Sequence, residues 1–187
     1  MSLRKLPEAK TFQRPQNFQW DAPSDVLARW AETAPSAASS EDNNVITMFE
    51  VIGEDFWSGG GVTAKRISAA LRSIGDRDVV VKINSPGGDM FEGIAIYNLL
   101  RAHKARVTIE VLGWAASAAS IIAMAGDEIR MGLGTFMMVH NAWGIVIGNR
   151  HDMREAAGLF DGFDAAIADI YEARTGMKRK DIEKLMD

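Results

Sequence analysis

A chain with no cysteine and only three histidines, His103, His140 and His151, has few ways to do covalent or metal chemistry. Disulfides, thiolate metal sites, a cysteine nucleophile and a multi-histidine metal centre are all removed, and no cofactor is expected. A serine with a base remains. Ser117 lies in Gly113-Trp-Ala-Ala-Ser-Ala-Ala-Ser120, ringed by small residues where a strand gives way to a helix. Small neighbours let a substrate backbone come close, and unpaired N–H groups at such a junction can face a developing oxyanion. The same composition also suits close helix packing, with the Ser117 hydroxyl bonded back to its own helix, so both uses are open on this segment alone. For the base, His140 ends the apolar run Thr135-Phe-Met-Met-Val-His140 and precedes Asn-Ala-Trp-Gly144. A satisfied structural histidine is the other use of such a residue. His103 falls in the basic stretch Arg101-Ala-His-Lys-Ala-Arg106 near a helix C-terminus, where it suits a solvated dipole partner, and His151 beside Asp152 reads as surface. His140 is therefore the one histidine adjoining a buried strand end. A third feature, Ile83-Asn-Ser-Pro-Gly-Gly88, is a strand stopped by a tight glycine turn whose backbone N–H groups could point at a bound carbonyl; an ordinary turn is the alternative.

These residues need elements to hold them. From Val45 onward the hydrophobic pattern alternates between periods of two and about 3.6. Strands are predicted over Val45–Ile52, Asp78–Ile83, Arg106–Leu112, Glu128–Met131 and Thr135–His140. Helices are predicted over Val62–Ile74, Phe91–Leu100, from about Ala116, over Asp152–Arg174 and from about Lys178. Gly59-Gly-Gly61 breaks the first β-α pair. Repeated units of this length imply an α/β domain over 44–187 with mostly parallel strands. Residues 1–43 differ: they hold four of the five prolines and the polar stretch Ser36 to Asn44, which reads as an extended arm and linker. One short helix is expected there, around Ser24 to Thr33. Trp20 and Trp30 suggest that the arm packs on something, a neighbouring subunit being one candidate.

Composition narrows the function classes. The chain is 47% hydrophobic and 25% charged, proportions of an ordinary globular protein, and its length suits one domain. With 21 basic and 25 acidic residues, net charge is −4 and the pI near 5.4, against a basic nucleic-acid footprint. No G-x-x-x-x-G-K-[ST] loop is present for ATP. Met1 to Gln19 lacks the apolar region of a signal peptide, and Val111 to Gly126 is too short to span a bilayer. A cytoplasmic location is expected, without a membrane or nucleic-acid partner.

The ordered set Asn84-Ser-Pro-Gly-Gly88, Gly93, Ile96-Tyr97, Gly113-x-Ala-Ala-Ser117 and Met138-Val-His140 resembles the proteolytic subunit of the Clp protease. More narrowly it is similar to the phage and prophage branch of head maturation (prohead) proteases. The likeness covers 44–187. It implies a Clp protease/crotonase-like spiral of β-β-α units with a protruding handle helix, here Asp152 to Arg174. It further implies a serine endopeptidase that needs no cofactor and acts on polypeptides, with Ser117 as nucleophile and His140 as general base. The oxyanion donors would be the N–H groups of Gly88, or Gly87, and of Ala118. Trp143 and Gly144, with the residues to Ile147, would line the substrate strand and pair with its main chain. Homo-oligomeric rings are implied, heptameric and stacked, with Phe160, Phe163 and Tyr171 of the long helix available for stacking or for covering their own core. The substrate in that branch would be a scaffold or capsid precursor.

Some positions depart from the family pattern. His140 follows Ser117 by 23 residues, a shorter interval than in the housekeeping proteases, consistent with a trimmed hairpin. A gapless alignment through Thr175-Gly176 sets Leu185 at the family's aspartate position. Asp187, after Leu185-Met186, is then the candidate acid, with Asp181 the weaker option and an exposed helix carboxylate the plain reading of both. The family usually continues past this point into a further helix and strand, and a chain ending here would hold its acid more loosely. The proline-rich arm differs from the short N-terminal loops that engage a hexameric ATPase, which argues against a required unfoldase. Two other functions compete: an inactive ring or scaffold component of the same fold, and a crotonase-like acyl-CoA enzyme. The latter usually employs glutamates, and neither glycine motif contains one.

Overall fold

The structure, a computed structural model, describes residues 44–54 and 60–187. The arm, its expected helix around Ser24 to Thr33, and Gly59 lie outside the described residues. Two compact units divide the rest at Met138/Val139.

Residues 44–138 alternate strand and helix as the hydrophobic pattern requires. In chain order they form β1 (Val45–Met48), α1 (Ala64–Ile74), β2 (Val79–Ser85), α2 (Met90–Arg101), β3 (Val107–Ala116), α3 (Ala118–Ala123), β4 (Glu128–Met131) and β5 (Phe136–Met138). Every strand pair among the described residues is parallel. The sheet runs β1-β2-β3-β4, and β5 joins β3 beyond the end of β4. Parallel strands need crossover helices between them, so α1 and α2 are the connections that this pairing demands. On β2, Val79, Val81, Ile83 and Ser85 alternate inward; on β3, Val107, Ile109 and Val111 are buried beside them. Ile67 and Ile74 of α1 and Ile96 and Leu100 of α2 complete the core. The short α3 is buried along its whole length, which its Ala-rich sequence permits.

Several boundaries differ from the periodic reading, among them the end of β5, which stops at Met138 and leaves His140 outside the strand. β1 stops at Met48 because Ile52 leaves the ladder for isolated parallel bridges to Val62 and Gly88. β3 runs on to Ala116, across Gly113, and its register against β2 shifts between Ile83 and Ser85. The helix after it starts two residues later than expected, at Ala118.

The second unit, Val139–Asp187, opens with a stretch outside any helix or strand and continues into α4 (Arg150–Thr175) and α5 (Arg179–Met186). A capping box starts α4, Asn149 accepting from the His151 N–H while Asp152 accepts from the Asn149 N–H. Gly176 in the left-handed region ends it. Ile167, Ala168 and Tyr171 on α4 and Ile182 and Met186 on α5 form the buried faces. Arg179 pins the two helices, pairing with Asp169 and Glu172 and donating to the Ala165 carbonyl at 3.0 Å. No helix among the described residues is long and apolar enough to cross a membrane.

Candidate active site

β3 changes partner along its length, and that change creates the first half of the candidate site. Residues Thr108 to Val111 pair with β4; after the register shift, Trp114 to Ala116 pair with Phe136 to Met138 of β5. Asn84 fills the irregularity, its side-chain carbonyl accepting from the Trp114 N–H at 3.3 Å, in space that a Cβ at Gly113 would occupy. The strand then ends in a sharp elbow at Ser117. This residue has φ 52° and ψ −124°, and among the described residues it is the one non-glycine at positive φ.

The elbow is held from both sides. The Ser117 N–H donates to the Met138 carbonyl at 2.9 Å, and the Ser117 carbonyl accepts from the Ser120 N–H at 2.9 Å and the Ser120 hydroxyl at 2.6 Å. The serine that bonds back onto the helix is therefore Ser120. The Ser117 side chain makes no capping bond to α3.

The glycine turn abuts this elbow. At Gly87 (φ 92°) a Cβ would stand 2.5 Å from the Ala116 carbonyl oxygen, 2.7 Å from the Ser117 Cβ and 3.0 Å from the Ala118 nitrogen. Only glycine fits there without displacing backbone. The turn is anchored behind: the Ser85 hydroxyl donates to the Glu50 carbonyl at 2.7 Å and accepts from the Gly87 N–H at 3.2 Å. The Gly87 carbonyl accepts from the Ile52 N–H, and the Ile52 carbonyl from the Asp89 N–H, each at 2.8 Å. That leaves the Gly88 and Ala118 N–H groups without an acceptor among the described residues. On the far side of Ala118, Gly93 of α2 comes close enough that a Cβ there would sit 3.0 Å from the Ala118 Cβ. Small residues here serve close packing and an open approach together.

The second unit holds His140 with the acids. His140 is half-buried, and burial pushes its imidazole below the ordinary value of 6.5; a backbone hydrogen bond involving Asn141 and the negative charge of Asp164 act in the opposite direction. The next two residues are tied to the helices. Asn141 donates its backbone N–H to the Met186 carbonyl at 3.0 Å and its Nδ2 to Asp187 Oδ1 at 2.8 Å. Ala142 donates its N–H to Asp164 Oδ1 at 2.6 Å. Asp187 is thus brought beside the residue following His140, while Asp181 is exposed in the first turn of α5 and Leu185 is half-buried. Trp143 is exposed, and Gly144 lies against Phe160, whose ring tip would be 3.0 Å from a Cβ there. Among the described residues, nothing accepts from the backbone N–H groups of 143–147. No cluster of His, Asp and Glu suited to a metal ion occurs among the described residues.

Sequence reasoning gave Asn84 no role beyond its place in the glycine motif, and it missed Asp164. Asp164 carried a signal: with Ile167, Ala168 and Tyr171 it forms the i, i+3, i+4, i+7 stripe that α4 buries, and a carboxylate heading such a stripe needs a partner.

Comparisons with known proteins bear on the family and the fold. The profile of the Clp protease family matches residues 62–187, which include both glycine motifs, Ser117, His140 and Asp187. The ATP-dependent Clp protease proteolytic subunit of Deinococcus radiodurans is 31% identical over 114 residues, 60% of this chain and 56% of its own length, so the chain spans little more than half of that curated relative. Among solved structures, a ClpP1 mutant from Listeria monocytogenes shares the fold with a TM-score of 0.66 at 22% identity, covering 78% of this chain and 80% of that one. The parallel sheet with its elbow and handle-like α4 is therefore the ClpP (crotonase-like) fold, and with the profile spanning most of the described residues, the chain belongs to the Clp protease family.

Proposed function

We propose that this protein is a serine endopeptidase in which Ser117 is the nucleophile, His140 the general base and Asp187 the acid that supports it. The observation that carries the reading is the Ser117 elbow: a non-glycine residue in a strained conformation, with the Gly87 turn pressed against it. Strain of this kind costs about 1–3 kcal/mol and persists where the surroundings over-determine it, as at a nucleophile that must stand clear of its strand. Neutral imidazole is the form a base requires, and burial of His140 favours it.

In the proposed reaction, His140 takes the Ser117 hydroxyl proton as Oγ bonds to the scissile carbonyl carbon. The resulting oxyanion accepts from the Gly88 and Ala118 N–H groups. Collapse breaks the C–N bond, the amine leaves with the proton from His140, and water repeats the sequence to release the acid and free Ser117. The substrate main chain runs along Trp143 and Gly144, where backbone groups are unengaged and a peptide can add as a strand. A ring-shaped homo-oligomer is part of the proposal, as is a capsid or scaffold precursor as substrate.

Intact mass after exposure to a fluorophosphonate tests the chemistry. Wild type should gain one adduct, Ser117→Ala none, and His140→Ala should react on the order of a hundred-fold or more slowly. No adduct on a folded, oligomeric wild type would replace the peptidase with a non-catalytic ring component.

A further inference from the structure

Two helices grip the three residues that begin at His140, and only one of the grips belongs to the proposed triad. The α5 end holds Asn141 through the Met186 carbonyl and the Asp187 carboxylate. From α4, Asp164 holds Ala142 by a short charge-assisted bond, 2.6 Å from Oδ1 to the backbone nitrogen. Asp164 is half-buried at the head of the stripe Ile167, Ala168 and Tyr171, a costly place for a carboxylate unless its charge is used. Among the described residues no lysine or arginine pairs with it; Arg179, next to it through the Ala165 carbonyl, is committed to Asp169 and Glu172. Residues 139–148 carry no charged side chain apart from the titrating His140. The carboxylates that this unit ties to the residues after His140 are thus Asp164 from α4 and Asp187 from the end of α5, and of the two it is the Asp164 charge that acts on the imidazole.

We propose that Asp164 is a positioning residue for His140, fixing the His140–Ala142 backbone through its bond to Ala142 and keeping a carboxylate charge near the imidazole. Held in this way, the imidazole is steadied as it becomes positive, and the cost of half-burying it is partly offset. The direction of the Asp164 influence on His140, opposite to that of burial, agrees. The catalytic part of this inference rests on His140 being the base; the pairing of charges does not.

Asp164→Asn in the full chain separates charge from packing, because the amide oxygen can still accept from Ala142. Two readouts are compared with wild type: the His140 titration midpoint by NMR, and the pH dependence of fluorophosphonate labelling. Removing the charge should lower the midpoint and move the acidic limb of labelling to lower pH. It should also slow labelling on the alkaline plateau on the order of ten-fold, since a weaker base transfers the proton less readily. Asp164→Glu, which keeps a charge, should return the limb toward wild type. A folded Asp164→Asn protein with an unaltered His140 midpoint and an unaltered limb overturns the proposal.

Charge coupling is reciprocal, which supplies a test that needs no change at Asp164. The Asp164 carboxyl carbon shift in wild type should follow the His140 titration, and should cease to do so in His140→Ala. A carboxyl shift indifferent to His140 also overturns the proposal. Absence of any labelling in wild type, with the coupled titration intact, would sink the peptidase reading and leave Asp164 paired with a structural histidine.

Discussion

At Ser117 the strained backbone is held by groups that lie far apart in sequence: the Met138 carbonyl takes its N–H, and the Gly87 turn fills the space beneath it. A residue with this conformation can present its hydroxyl without competing for the helix's own hydrogen bonds, a task that Ser120 performs instead. His140 extends the argument to pH. Because burial dominates, its folded-state value lies below the ordinary 6.5, so the neutral base is complete above that value and is lost as pH falls through the lowered one. Labelling should therefore persist to pH values somewhat below 6.5 and fall as pH passes through the shifted value, whereas the stability contribution of His140 is complete above 6.5 and is lost between 6.5 and the shifted value. A labelling profile with its midpoint above 6.5 would contradict this; the rate measured from pH 4.5 to 8 decides it.

Among the elements, the turn between β2 and α2 has the tightest tolerance. A Cβ at Gly87 meets the Ala116 carbonyl, Ser117 and the Ala118 nitrogen at once, and its φ of 92° is unfavourable for any other residue. Gly87→Ala should lower stability by about 1–3 kcal/mol in denaturant titration. Labelling of the protein that remains folded should fall on the order of ten-fold or more, because the Ala118 N–H must move. Wild-type labelling in that variant would show that the turn is not part of the oxyanion site. On α4, the aromatic residues that the sequence offers for stacking are used inside the unit. Tyr171 is buried, and Phe160 meets Phe163 edge-on with centroids 5.8 Å apart while its tip lies beside Gly144. The large apolar side chains that α4 leaves exposed are Met153 and Leu159.

For the molecule as a whole, the proposed ring has exposed apolar surface available to it. In the unit 44–138, Leu112, Leu133 and Phe136 are exposed; in Val139–Asp187, Trp143, Ile145 and Ile147 are. Single exposed apolar residues are ordinary, but several large ones within a short stretch of each unit point to a covered surface. The proposed heptameric ring should appear in native mass spectrometry as a multiple of seven chains of 20.4 kDa. A 20.4 kDa species across the micromolar range would remove the ring from the proposal.

Much of this was legible in the chain. The alternation of periods placed every strand and helix among 60–187, since an element's buried face is written in its own spacing. The small-residue window singled out Ser117, and the strand end singled out His140. The Clp protease motifs needed no tertiary information either. The register shift in β3 was not legible, because it depends on Asn84 meeting Trp114 across 30 residues. Nor were the Ser117 torsion and the pressure of Gly87 upon it. Asp187 was chosen by its place after Leu185-Met186, but its bond to Asn141 spans 46 residues, and the Asp164 bond to Ala142 spans 22. Local sequence fixes which face of a helix is apolar and which torsions are cheap. Which carboxylate on that face meets which backbone N–H is decided only when the helices pack, and the surroundings of His140 are set at that step.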